Sequence, residues 1–234
     1  MSPAEARTEA RTARAEATRA AIVDAALRMF REQGYEATTM RAIARAAGVA
    51  TGNAYYYFSS KEELIQEFYA RNHAEHLAAS RPVLDTETDL AARLHGVLQA
   101  LIDINGPYHS FAAKLYSRAA EPASPLSPFS PESSPTRDAA IALYAEVVDG
   151  AHLRVPAPVR DRLPELLWLY SMGVVLFWVY DHSPGTDRTY RLIDATVPLA
   201  VRLIRLSRLR ALGSVTRQII AIVDDVRGSV LAAE

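Results

Sequence analysis

The segment that most restricts the fold is 39–58, Thr-Met-Arg-Ala-Ile-Ala-Arg-Ala-Ala-Gly-Val-Ala-Thr-Gly-Asn-Ala-Tyr-Tyr-Tyr-Phe. Met40, Ile43, Ala44 and Ala47 recur at the spacing of one helix face. Thr39 stands just before them and offers an N-capping oxygen. Gly48 then interrupts the pattern and tolerates the positive φ of a tight interhelical turn. A second short helix is expected from Thr51 to about Tyr57. Two short helices joined by a glycine turn follow the spacing of a helix-turn-helix. Ala44, Ala47 and Val49 are small enough for a close crossing. The second helix exposes Thr51, Asn53, Tyr55 and Tyr56, side chains that donate to phosphates or touch base edges.

The rest of the chain also reads as helix, with no run of period-2 alternation, so the expected fold class is all-α. Residues 1–13 read as a polar, flexible tail. From about Arg14 to Gln33 a helix places Ile22, Ala26, Met29 and Phe30 on one face, and Gly34 fits its C-terminal cap. Ser60 and Glu63 form an S-x-x-E capping box for a longer helix with Leu64, Ile65 and Phe68 on its apolar face. Further helices are expected at 87–105, 108–120, 136–150, about 158–180, 187–210 and 214–231. Pro122, Pro125, Pro128, Pro131 and Pro135 bar helix from 121–135, which reads as a long exposed Pro/Ser-rich loop. The expected domains are a DNA-binding module over 14–60 and a helical body over 61–234.

Composition excludes several chemistries. A chain of 234 residues buries a core without staples. With 0 Cys there are no disulfides, zinc fingers, thiol nucleophiles or iron–sulfur clusters. No uncharged stretch exceeds that of Leu166–Tyr180, which is shorter than the roughly 20 residues of a spanning helix. The first twenty residues lack the apolar segment of a secretory signal. A cytoplasmic protein with no membrane partner is therefore expected. The net charge of −1 hides an uneven distribution. Residues 14–61 carry 7 basic and 4 acidic groups, whereas 62–200 carry 11 and 18. A mildly basic reading head sits on an acidic body, which a duplex would repel.

The residues Phe30, Gly34, Thr38, Thr39, Ile43, Ala44, Ala47, Gly48, Val49, Gly52, Tyr55, Tyr56, Phe58, Lys61, Glu62, Glu63 and Leu64 resemble the pattern of the tetracycline-repressor (TetR) family of transcriptional regulators. The resemblance covers roughly 14–70, and its most specific part is Tyr-Tyr-x-Phe-x-x-Lys-Glu-x-Leu. Asn53 stands where Thr or Ser is frequent, and Tyr57 where His is frequent. The resemblance implies a homodimer with an N-terminal DNA-binding domain and a larger helical C-terminal domain. It also implies a repressor released from a double-stranded DNA operator by a small-molecule effector, and a roughly palindromic operator. By position, Thr39 and Lys61 resemble phosphate contacts. Thr51, Gly52 and Asn53 open the recognition helix and are base-reading candidates. Tyr55 and Tyr56 resemble phosphate or thymine-methyl contacts, and Arg41 is a further candidate on the first helix.

Beyond residue 70 the signal is poorer. Tyr108, Phe111, Tyr116, Trp168, Met172 and Phe177 are of the type that lines a pocket for a small, largely apolar or aromatic effector. At helical spacing the same residues also suit plain core. Ile193, Val197, Ala200 and Ile204 recur at 4, 3 and 4 and are expected at the dimer interface. His73 and His76 share a helix face, but their surroundings do not suggest a metal, and no cofactor is expected. The chain has no P-loop, G-x-S-x-G, H-E-x-x-H or dinucleotide turn, which argues against an enzyme. A regulator governed by a protein partner is the third alternative, and a cavity-free C-terminal core would favour it.

Overall fold

A computed structural model of the chain describes residues 3–208 apart from residue 122. Among the described residues the structure is helical, with no strand. The expected helix at 214–231 lies outside them. Two compact units emerge: one reaches to Arg71 and also takes in Ser110–Glu132, and the other comprises Asn72–His109 and the residues from Ser133 onward. The sequence places 110–132 in the C-terminal body, whereas the structure packs it with the helix-turn-helix.

The first unit starts with α1 (Pro3–Gln33), followed by α2 (Met40–Ala46), α3 (Thr51–Tyr57) and the opening turns of α4 (Lys61–Thr86). The segment expected to be a polar tail is thus helical from Pro3. Its Ala, Arg and Glu content explains this, because those residues have high helix propensity. Ile22, Ala26, Phe30, Ile43, Phe58, Leu64 and Ile65 form a fully buried core. Burying each of the larger side chains contributes about 1.5–3 kcal/mol. Phe111, on α6 (His109–Ala119), stacks on Phe30 with centroids 5.8 Å apart and completes this core.

The Pro/Ser segment is not the exposed loop expected. Ser124, Ser127, Ser130 and Ser133 are all buried, as is Leu126. The amide N–H groups of Ser127 and Ser130 donate to the carbonyls of Ser124 and Ser127 at 3.0 Å each. The Ser-Pro-x-Ser steps 124–127 and 127–130 are thus turns with proline at the second position, where a fixed φ suits it. The Gln66 side chain donates to Pro125 O at 2.6 Å and ties the staircase to α4.

The second unit contains the end of α4, α5 (Leu90–Asn105), α7 (Ser134–Asp149), α8 (Ala157–Val179) and α9 (Asp187–Leu206). Leu94, Val97, Leu98, Tyr144, Val147, Trp178, Ile193 and Val197 are buried at its centre. The helix α8 is long and apolar enough to cross a membrane. It nevertheless carries Arg160, Asp161, Arg162 and Glu165 and buries Leu163, Leu167, Val174 and Trp178 within the unit. Pro164 lies inside it without ending it.

Arg93 is buried at the meeting of three helices. Its guanidinium donates to Leu84 O, Glu87 O, Glu146 O and Val147 O at 2.6–3.0 Å. These carbonyls lie at the C-terminal ends of α4 and α7, where helices leave acceptors unpaired and carry partial negative charge. At the other end of α8, Asp181 accepts from the amides and hydroxyls of Ser183 and Thr189 at 2.6–2.9 Å. Burial opposes its charge, but these four bonds outweigh burial and hold its pKa at about 2.

Candidate nucleic-acid interface

Thr39 caps α2: its hydroxyl oxygen accepts from Ala42 N at 3.2 Å, and the side chain is exposed. The hydroxyl proton remains available to an outside acceptor. Arg41 is exposed on the next turn-face of α2, while Met40, Ile43 and Ala44 are buried. Gly48 adopts φ +70, and Val49 N donates to Ala44 O at 3.0 Å, which closes the interhelical turn. This is the one glycine of the motif whose conformation an L side chain would strain.

The second helix is unusual in what it hides. Of its seven residues only Ala54 is buried. Gly52 and Asn53 are exposed at its start, and Thr51 is half-buried. Tyr55 is 52% exposed and Tyr56 81% exposed. No side chain caps its N-terminus, since Ala50 occupies the cap position. Tyr57 is half-buried and meets Tyr56 edge-on at 5.3 Å. Phe58 ends the helix in an extended conformation, fully buried, with the Arg19 guanidinium 4.8 Å over its ring. The structure therefore brings Thr39, Arg41, Thr51, Gly52, Asn53, Tyr55 and Tyr56 together on the two helices of one motif.

Lys61, the other expected phosphate contact, also bonds within its own unit. Its ammonium donates to Tyr35 O at 2.7 Å and lies 4.2 Å over the Tyr35 ring. Beside it the Tyr35 hydroxyl donates to Glu62 Oε1 at 2.5 Å. Burial raises the Tyr35 pKa, and the bond to Glu62 adds to that. Lys61 thus clamps the start of α4 to the turn after α1. The neighbouring capping box forms with a shift of one residue. Ser60 Oγ accepts from Glu63 N at 3.2 Å, and the Glu63 carboxylate reaches back to Ser59 rather than Ser60.

The six residues expected to line an effector pocket are divided between the two units. Phe111 belongs to the core of the first unit, and Tyr116 lies in the same unit, half-buried. In the second unit Trp168 is buried, Tyr108 and Met172 are half-buried, and Phe177 is exposed. A cleft of about 600 Å³ does open in the second unit, but its lining is polar: Asp103, His109, Asp181, His182, Ser183 and Tyr190 among others. The Tyr190 hydroxyl donates to Asp103 there at 2.5 Å. No motif in the sequence points to this cleft, because its residues come from three separate segments. Phe177 instead borders a shallow depression of about 550 Å³ with Gly173, Leu176, Tyr180 and Arg188.

The expected dimer seam needs a similar correction. Ile193 and Val197 are fully buried within their own chain, and Ala200 and Ile204 are half-buried. Their stripe faces the core of the second unit. The exposed apolar residues of α9 are Leu199, Leu203 and Leu206, on another face. On α8 and its C-cap, Leu169, Gly173, Leu176 and Tyr180 recur at i, i+4, i+7 and i+11 and are all exposed. Those residues were missed because periodicity finds apolar stripes without saying which one the chain covers itself.

His76 does not offer itself to a metal. Its ring is buried, with Nε2 2.8 Å from Val97 O, and no cluster with metal-ligand character occurs among the described residues.

Comparison with known proteins agrees with the motif geometry. Residues 22–68 match the family model described as bacterial regulatory proteins, tetR family, and residues 93–219 match the tetracyclin repressor-like C-terminal domain. The HTH-type transcriptional repressor KstR2 of Mycobacterium tuberculosis is 34% identical over 93 residues, which is 39% of this chain and 46% of that protein. The chain thus spans about half the length of this relative. The HTH-type transcriptional regulator YhgD of Bacillus subtilis is 29% identical over 169 residues, 72% of this chain and 87% of YhgD. The crystal structure of the TetR transcriptional regulator from Nitrosomonas europaea superposes with a TM-score of 0.61 at 18% identity, covering 78% of this chain and 97% of that one. That likeness concerns the fold. The relatives are regulators and not enzymes, and with both family models matched in order, this chain belongs to the TetR family of DNA-binding transcriptional regulators.

Proposed function

We propose that the chain works as a cytoplasmic homodimeric repressor that leaves a palindromic operator when a small, largely apolar or aromatic effector binds its C-terminal unit. The observation that carries the DNA reading is α3, which buries Ala54 alone and spends two exposed tyrosines on solvent. A helix this uncovered contributes little to stability by packing, so its side chains are available for a groove. Thr39 and Arg41 would hold the phosphate backbone, Thr51, Gly52 and Asn53 would meet base edges, and Tyr55 and Tyr56 would meet phosphate or thymine methyl. Lys61 contributes through its clamp on Tyr35, with its remaining N–H groups as the phosphate contact.

The dimer reading is supported by the two exposed apolar stripes on α8 and α9. Two heads in such a dimer favour half-sites about one helical turn apart or more. The effector reading is supported by Trp178 Nε1, a buried donor with no acceptor among the described residues. Buried donors left unpaired are costly. An apolar or aromatic ligand with an acceptor group would satisfy Trp178 Nε1. Its differential affinity for the released state would then set the response.

The test is a mobility shift on the region upstream of the protein's own gene. The Asn53→Ala, Tyr55→Ala double variant, shown to be folded by circular dichroism, should bind at least roughly tenfold more weakly. Unchanged binding removes α3 as the reading surface.

A further inference from the structure

The polar cleft of the second unit holds about 600 Å³, within the roughly 300–1,000 Å³ of small-molecule sites. Its walls come from the end of α5, the start of α6, the residues after α8 and the opening of α9. Neither the reading helix nor the exposed apolar stripes use it.

What the cleft presents follows from where its protons go. The Tyr190 hydroxyl donates to Asp103 Oδ1 at 2.5 Å. The Ser183 hydroxyl donates to Asp181 Oδ1 at 2.6 Å, and the Thr186 hydroxyl to Gly185 O at 2.7 Å. His109 Nε2 lies 2.8 Å from Trp178 O. A carbonyl only accepts, so that nitrogen carries the ring proton, and the neutral ring keeps Nδ1 as an acceptor. All these donors are committed within the chain. What remains are the lone pairs of Tyr190 Oη, Thr186 Oγ1 and His109 Nδ1, and Asp103 Oδ2, which has no partner among the described residues. Among the lining side chains only the exposed His182 keeps a donor.

Charge points the same way. Asp103 and Asp181 both line the cleft, and among the described residues no Lys or Arg does. Four hydrogen bonds already fill the Asp181 carboxylate, so it adds charge without an open acceptor. Asp103, exposed and bonded to Tyr190 alone, is the open anionic anchor. An anion would meet two carboxylates. A neutral ligand that only accepts would set lone pairs against lone pairs.

We infer that this cleft binds a small organic cation rich in N–H donors, a primary amine or a guanidinium compound. Its charged group pairs with Asp103, and its further N–H groups reach His109 Nδ1 and the Tyr190 oxygen. This chemistry is the opposite of the apolar or aromatic effector proposed above, so the cleft is a second site, and its occupancy stands apart from both the effector and the DNA readings.

The experiment is isothermal titration calorimetry on the full-length protein, in an amine-free buffer at fixed ionic strength. The probes are putrescine and agmatine, with 1,4-butanediol and succinate as neutral and anionic counterparts. Asp103→Asn removes the anchoring charge and keeps an oxygen for the Tyr190 hydroxyl. Asp161→Asn removes the same charge near the start of α8, roughly 27 Å of helix before its last residue. Circular dichroism checks that both variants fold. Wild type should take up one amine per chain and neither counterpart. Asp103→Asn should bind at least about tenfold more weakly, as the loss of a charge-assisted hydrogen bond implies. Asp161→Asn should match wild type. The proposal is overturned if neither amine gives saturable heat, if Asp103→Asn binds like wild type, or if both variants lose affinity equally. Butanediol or succinate bound as tightly as the amines overturns it too. None of these outcomes touches the α3 reading, since no DNA is present.

Discussion

His76 sits on α4, 4% exposed, with Nε2 2.8 Å from Val97 O. Burial disfavours the imidazolium, and neighbouring His73 opposes it further, so the pKa falls to about 4 despite the bond to Val97. An unfolded histidine titrates near 6.5. Between pH 6.5 and 4 the unfolded chain therefore binds a proton that the folded chain refuses. The stabilisation is fully present above about pH 6.5 and is lost as pH falls towards 4, a difference on the order of 3 kcal/mol. His73, whose pKa burial also lowers, adds in the same direction. Chemical denaturation of wild type and His76→Leu between pH 8 and 4 checks this. Wild-type stability should drop steeply below pH 6.5, and the variant, less stable at pH 8, should show a flatter profile. Parallel profiles would assign the acid sensitivity to other groups. Sequence alone gave His76 a helix face and nothing more, because its pKa depends on α5 lying across it.

Arg93 joins elements in a similar non-local way. It supplies donors to the last turns of both α4 and α7, and Gly150 leaves the room: a Cβ there would stand 2.2 Å from Arg93 Nη2. Arg93→Leu strands four buried or half-buried carbonyls and should destabilise by about 2–4 kcal/mol. Gly150→Ala should cost about 1–3 kcal/mol by displacing the guanidinium. Both act on one contact, so the double variant should lose clearly less than the sum. Urea denaturation of the four proteins closes the cycle, and additive losses would mean that Gly150 does not serve Arg93. Helix positions were largely legible because caps, glycines and apolar spacing are local: α2, α3, α5 and α7 lie within a few residues of expectation. The Ser-Pro turns were not, since proline forbids helix without saying that the intervening serines are buried. The α3 residues were legible as a surface because a helix-turn-helix imposes exposure on its second helix. The bond from Lys61 to Tyr35 was not, since the two residues lie 26 apart in sequence.

Assembly is the scale at which the chain's apolar pattern gains its meaning. The helix α9 carries two apolar stripes. One, through Ile193, Val197 and Val201, is buried in its own unit, and the other, Leu199, Leu203 and Leu206, is bare. On α8, Leu169, Leu176 and Tyr180 are also bare, and Gly173 among them permits close approach. In the homodimer proposed above the same patch would meet itself, so one charge per chain places two like charges in the interface. Leu176→Glu with Leu203→Glu should therefore convert a dimer into a monomer at micromolar concentration in sedimentation equilibrium, with helix content unchanged because neither side chain is buried in the unit. Operator affinity should fall with it, since each monomer offers a single reading head. Val201→Ala is the control: it lies in the buried stripe and should lower Tm by the cost of a small cavity while the dimer persists. If the double Glu variant remains a dimer at wild-type concentrations, the interface lies elsewhere. If Val201→Ala dissociates it as readily, the two stripes of α9 do not have separate duties.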